Sequence, residues 1–274
     1  MNIPKYKTIS ASNSILGEGI SLSPSNEIVY WVDILGHKIF ELNLVNNLTF
    51  EITNLSFPSC TFSYKSSGIF VAHDSGISWI SKKSRYIEKC VTWFSPDLGL
   101  RCNDGVIDTE GNIWISTMSL KEEQGQGSIW FWDRLNRPKL VIDNLTIPNS
   151  ILIDERRQRL YFADSRERTI YSAELSQNRK IVNMKTEFLK SNDGIPDGST
   201  LDKNGNIWNT RWDAGKIVVI DPLGQEISEF KVPFKRPTSC KFTLDENHLF
   251  VTSARTEGDF HGGETIVLDL TPFK

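Results

Sequence analysis

Six stretches of this chain share one plan: a turn, a short apolar or aromatic run, a polar interval and a second apolar run. They are "NEIVYWVDILGHKIFELN", "SGIFVAHDSGISWIS", "GNIWISTM" with "GQGSIWFWD", "QRLYFADSRERTIYSAEL", "GNIWNTRWDAGKIVVID" and "NHLFVTSA" with "GGETIVLDL". The aromatic residue of each first run serves as a marker: Tyr30, Phe70, Trp114, Tyr161, Trp208 and Phe250, separated by 40, 44, 47, 47 and 42 residues. Units of about 40–50 residues built from short strands are the blades of a β-propeller. Gly-Asn, Asp-Gly and Asn-Gly pairs fall between the runs, where hairpins need them. An ordinary sandwich or barrel has no reason to repeat its units in phase. The expected fold is therefore all-β, a six-bladed β-propeller in a single domain over residues 1–274. Its blades are expected near 13–55, 56–98, 99–145, 146–190, 191–235 and 236–274, with an N-terminal strand around 5–11 completing the last.

Composition narrows the partners. The 31 basic residues nearly balance the 34 acidic ones, and no run of Lys or Arg is long enough to bind nucleic acid or an anionic membrane. No apolar segment follows the N-terminal lysines as in a signal peptide, and nowhere do 18 apolar residues run together. A soluble, cytoplasmic protein without an obligate protein partner is expected. Cys60, Cys90, Cys102 and Cys240 lie far apart with no CxxC pair, which predicts buried free thiols rather than disulfides or a thiolate zinc site.

The markers also convert sequence into position. Residues 11 or 12 places before each marker are Glu18, Ser59, Asn103, Asn149, Asp197 and the Thr238-Ser239 pair, and equivalent places in successive blades form a ring about the axis. All are polar. Glu18, Asn103, Asn149 and Asp197 each offer a carboxylate or amide oxygen from a turn-like setting, "GEG", "RCNDG", "IPNS" and "IPDGS". Taken singly, each reads equally well as an ordinary turn residue; their common phase is what points to a shared role. Converging oxygens carrying two negative charges suit one hard divalent cation. The histidines, His37, His73, His248 and His261, do not share the phase, which favours calcium or another oxygen-seeking ion over a His-rich zinc site; zinc, magnesium and manganese remain open. His37 and His261 are expected at the surface.

At this point the motifs "LGEG", "YWVDILGHKIFELN", "RCNDGVIDTEGNIWISTM", "RLYFADSRERTIYSAEL", "IPDGSTLDKNGNIWNTRW" and "RPTSCKFTLDENHLFVTSAR" resemble the senescence marker protein-30, gluconolactonase and luciferin-regenerating enzyme family, from about residue 13 to residue 268. The resemblance implies a six-bladed propeller with one divalent metal near the axis, held by Glu18, Asn149 and Asp197, with Asn103 close by as a ligand or substrate contact. It further implies hydrolysis of a sugar lactone, with Arg101 touching substrate oxygens. Ile20 stands where the family usually has proline after "GEG". The segment after Thr117-Met118, where family members often carry an acidic substrate contact, reads "SLKEEQGQG".

In the chemistry expected, the cation polarises the lactone carbonyl and acidifies a water while a carboxylate takes the proton. Asp197 is the expected base and Glu18 the alternative. No GxSxG nucleophile elbow is present for a covalent route. A metal-dependent phosphotriesterase or aryl esterase, and a non-catalytic binding propeller with a structural ion, are the alternatives. Segment 119–127 is expected at the channel rim as a lid, with Lys121 adding positive charge near Arg101 for acidic substrates.

Overall fold

A computed structural model describes residues 4–52, 55–65, 67–183 and 186–273; of Lys89, Cys90 and Pro96 it describes the backbone but not the side chain. The described residues form six four-stranded antiparallel sheets and no α-helix. Blade one comprises Gly17–Leu22, Ile28–Asp33, Lys38–Asn43 and Thr49–Ile52, paired in that order from the axis outward. Blades two to five begin at the axis with Cys60–Ser63, Leu100–Ile107, Pro148–Asp154 and Ile195–Leu201 and run outward in sequence order. Blade six starts with Pro237–Phe242 and takes its outermost strand, Tyr6–Ser10, from the other end of the chain, paired antiparallel with Thr265–Asp269. Each innermost strand touches those of its two neighbouring blades, and the last touches the first, so the sheets close into a ring.

The core lies between blades. Ile28, Tyr30 and Val32 pack with Ile69, Val71 and Ile80 of blade two, whereas Val29 and Trp31, one residue out of phase, pack with Phe250 of blade six. Alternate side chains of one strand thus enter two different interfaces. Every residue of "IVYWVD" is buried, so the run is continuously apolar as far as Val32 because both faces are covered. Outer strands have only one covered edge and read differently: Glu226–Lys231 is polar and largely exposed.

Polar residues at fixed places hold the strands in register. In "DTEGNIW" and "DKNGNIW", Asp108 and Asp202 each accept hydrogen bonds from two backbone N–H groups, from the following Asn side chain and from the indole of Trp114 or Trp208. The marker tryptophans are thus tied to the hairpins preceding them. At the opposite end of the second strands, Asp33 accepts N–H bonds from Ile15, Leu16 and Gly36 at 2.9–3.0 Å. Asp164 likewise accepts from Thr146, Ile147 and Arg166 at 2.8–3.1 Å. Each carboxylate fixes the chain two or three residues ahead of a ring position, Glu18 or Asn149. Asp33→Ala strands three N–H groups at a site where Asp33 is 4 % exposed, so urea denaturation should show a loss of roughly 2–3 kcal/mol. An exposed aspartate such as Asp245→Ala, at the far hairpin of blade six, should cost less than half as much.

Candidate active site on the propeller axis

The ring positions coincide with a backbone irregularity. In five innermost strands the pairing with the second strand slips by one residue, between Glu18 and Ser21, Cys102 and Gly105, Asn149 and Leu152, Pro196 and Ser199, and Pro237 and Cys240. A β-bulge bends its strand and re-aims the side chain at the bend. The first two strands of blade two pair without a slip, and Ser59 lies just ahead of the first. The bulges explain why polar residues recur at one offset within otherwise buried strands.

They also explain the glycines around Glu18. Gly19 has φ +56°, and a Cβ there would lie 2.3 Å from Cys60 Cα and 2.5 Å from the Ser59 carbonyl oxygen. A Cβ on Gly17 would lie 2.7 Å from the carbonyl oxygen of Ser253. Blades two and six thus press on either side of Glu18, and only glycine permits the approach. Hydroxyl groups bind the blades together here: Thr238 donates to the Gly17 carbonyl at 2.5 Å, and Thr61 to the Gly19 carbonyl at 2.8 Å.

A cavity of about 490 Å³ opens on the axis over four of the ring residues, Glu18, Asn103, Asn149 and Asp197, and Arg101 lines it beside them. Arg101, Asn103, Asn149 and Asp197 are each less than one-tenth exposed; Glu18 keeps somewhat more surface, facing the cavity. Asn149 donates through Nδ2 to Ser165 Oγ at 2.9 Å and accepts at Oδ1 from Asn103 Nδ2 at 2.7 Å, which leaves one amide lone pair. Asn103 also donates to the Pro148 carbonyl and accepts from Arg101 Nη1 at 2.6 Å. Both ends of its amide are engaged within the protein, so Asn103 orients Asn149 and Arg101. The Asp197 carbonyl accepts from Ser150 Oγ at 2.5 Å and Asn209 Nδ2 at 3.0 Å; Ser150 itself has φ +55°, an uncommon conformation for serine kept where the backbone is tightly held.

The electrostatics are those of an under-compensated acidic site. Burial raises the Glu18 carboxyl to about 8, helped by the charge of Asp104, against the Gly19 N–H and Arg101. Burial also raises Asp197 well above the ordinary carboxylate range, and the nearby Glu18 and Asp104 add to it. Asp104 itself rises to about 6 through burial, although it accepts N–H bonds from Gly105 and Ile151. Two carboxylates and a free amide lone pair, all oxygen, match the donor preference of a hard divalent cation, which would relieve this repulsion. Among the described residues no three or more His, Cys, Asp or Glu side chains cluster in a way that could hold a metal; the candidate set depends on asparagine.

The sequence pattern described as "SMP-30/Gluconolactonase/LRE-like region" matches residues 16–255. The chain belongs to this family. Among family relatives, the pentonolactonase XacC of Haloferax volcanii is 27 % identical over 253 residues, 91 % of this chain and 85 % of its own. The L-arabinolactonase of Azospirillum brasilense is 27 % identical over 254 residues, covering 89 % of this chain and 82 % of its own. A solved structure of regucalcin, a calcium-binding protein of Agrobacterium tumefaciens, superposes with a TM-score of 0.90 at 27 % identity, over 97 % of this chain and 93 % of that one.

The cavity is also lined by residues away from the ring positions. Lys121 is exposed and does not line the cavity; its neighbour Glu122 does, from a left-handed backbone at φ +54°, and its charge acts on Arg101. Segment 119–127 is a compact turn rather than an open flap: Ser119 Oγ binds the Lys121 N–H and the Glu123 carboxylate, and Glu122 N–H binds the Ser119 carbonyl. Arg166, Arg168 and Trp212 also line the cavity; they sit in or beside the turns joining second to third strands, after the apolar markers, where the ring offset does not reach. His37 and His261 are exposed, and among the described residues no histidine lines the cavity. Cys60, Cys102 and Cys240 are buried free thiols, with burial raising Cys102 to about 12; the Cys90 side chain lies outside the described set.

The raised carboxyls set a pH dependence. A carboxyl whose folded pKa lies above its unfolded one keeps its proton in the folded state while the unfolded chain has released it, so stability falls as pH rises between the two values. In chelator, the melting temperature should therefore drop from pH 5 to pH 8. Glu18→Gln should flatten that slope, and an unchanged slope would remove Glu18 as its source.

Proposed function

We propose that this protein is a divalent-metal-dependent lactonase that opens a sugar lactone to the hydroxy acid. The reading rests on one observation above all: two enclosed carboxylates, Glu18 and Asp197, face an axial cavity beside Asn149 and Arg101. The lactonase names of family relatives and the calcium-binding description of regucalcin support it. Calcium is the first candidate ion.

A cation held by Glu18, Asn149 and Asp197 would supply Lewis acidity to the lactone carbonyl and to a water. The remaining work belongs to the side chains. Asp197 takes the proton as the water oxygen bonds to the carbonyl carbon; the acyl–oxygen bond then breaks and the proton passes to the departing ring oxygen, which becomes the product hydroxyl. Pinning of the Asp197 backbone by Ser150 and Asn209 keeps its short carboxylate facing the same point throughout. Glu18, whose Oε2 accepts the Gly19 N–H, would be held ionised beside it by the cation. Arg101 donates to substrate oxygens, and Asn103 keeps Arg101 and Asn149 aligned.

Proton release from a panel of aldonolactones, with and without exhaustive chelation, tests the reading. Activity that vanishes in chelator and returns with added Ca²⁺, Zn²⁺, Mg²⁺ or Mn²⁺ is the expected result; full activity in chelator would refute metal dependence. Asp197→Asn keeps an oxygen donor but removes the base, so kcat should fall about 10²-fold or more while metal affinity, read by calorimetry, falls much less. Equal losses would reduce Asp197 to a ligand.

A further inference from the structure

Six charged residues line the axial cavity, three carboxylates and three arginines, and they are not mixed at random. Glu18 and Asp197 occupy the floor with Asn149. Arg101 stands beside them with the charge of Glu122 acting on it. Arg166 and Arg168 come from the turn after Asp164, on the blade-four side of the mouth. Neither makes an ion pair among the described residues. The intervening Glu167 has turned away to accept the hydroxyl proton of Tyr171, and Asp193, across the blade boundary, is bound to Lys216 at 2.7 Å. Four nearby arginines are matched with carboxylates, Arg157 with Asp154, Arg179 with Glu155, Arg211 with Glu226 and Arg236 with Asp213, whereas Arg156, away from the cavity, donates to the Lys203 carbonyl.

The turn fixes the backbone of Arg166 and the side chain of Arg168. Asp164 accepts the Arg166 N–H, Arg168 has φ +57°, and its Nη2 donates to the Gly194 carbonyl at 3.0 Å, leaving the other edge of the guanidinium available. Ile147, Ile195 and Trp212 line the cavity as well and give it an apolar wall for the face of a sugar ring. With a divalent cation neutralising the floor and Glu122 offsetting Arg101, the positive charge left to the cavity is that of the two arginines at its mouth, Arg168 also acting on Asp193.

We propose that the preferred lactone carries an anionic group, a carboxylate, sulfonate or phosphate monoester, at the end remote from the reacting carbonyl, and that Arg166 and Arg168 receive it. This rests on the lactonase reading above. Planar guanidinium forks match the paired oxygens of such groups, and a pair of them at the mouth holds the anionic end there, which leaves the carbonyl end facing the floor.

The test compares kcat/KM for glucono-lactone and for the same lactone phosphorylated at C6, and in parallel the affinities for glucose and glucose 6-phosphate by calorimetry, all with Ca²⁺ present. The wild type should favour the phosphorylated member of each pair. Arg166→Ala should reduce that preference about tenfold, in line with a lost charge-assisted hydrogen bond; Arg166→Lys should recover part of it, and Arg156→Ala, at the opposite end of the barrel of blades, should leave it unchanged. Replacing the phosphate by a carboxylate or sulfonate then identifies the favoured anion. A wild-type preference for the neutral compounds, or a preference that survives Arg166→Ala and Arg168→Ala, overturns the proposal while leaving lactonase activity standing. If no lactone is opened, the lactonase reading fails and the calorimetric pair still decides the anion subsite.

Discussion

Everything in this molecule follows from crowding at the axis. Six innermost strands converge on a narrow channel, and backbone from one blade presses within van der Waals distance of the next at Gly17, Gly19 and Gly198. Straight strands at that spacing would present ordinary pleated faces to one another. The bulges resolve the conflict by bending five of the strands, and in four of these a polar side chain at the bend, Glu18, Asn103, Asn149 or Asp197, lines the axial cavity. Side-chain donors such as Thr61, Ser150, Thr210 and Thr238 then bind carbonyls of adjoining blades. The same crowding that closes the ring therefore assembles the oxygen cluster.

Much of this was legible in the sequence because repetition averages away local ambiguity. A single run such as "GNIWNTRW" fits a strand in many folds, but six runs in phase fit a propeller, and the six observed sheets follow that phase. The polar ring could be read for the same reason: a bulge is invisible in one strand, yet Glu18, Asn103, Asn149 and Asp197 recur at one offset from the aromatic markers. What could not be read was the periphery of the cavity. The turns between second and third strands differ in length and composition from blade to blade, so no offset predicts which side chain faces inward. In "SLKEEQGQG" the left-handed backbone at Glu122 sends the carboxylate, not the neighbouring Lys121 ammonium, toward the cavity. That choice depends on how Ser119 knots the turn, a three-dimensional contact.

The distribution of charge is similarly divided. Deep groups are set by the repeat and answer to burial: Glu18, Asp104 and Asp197 are all shifted upward by the loss of water. Rim groups are set by individual turns and remain solvated, where each contributes modestly but where substitution costs the fold little. Such an arrangement lets the deep chemistry stay constant while the turns vary the ligand, which accords with a family whose relatives bear the names of different lactonases.

The outermost strand of blade six has a consequence for the order of events in folding. Tyr6–Ser10 pairs with Thr265–Asp269, and Thr8 donates to Glu264, 256 residues away, so this strand finds its partner only once blade six has been made. Until then blade one lacks its neighbour on one side, Gly17 lacks the hydroxyl of Thr238, and Glu18 and Asp197 are separated by solvent rather than forced together. The charge repulsion between them is thus a late event, switched on only when the circle is drawn shut.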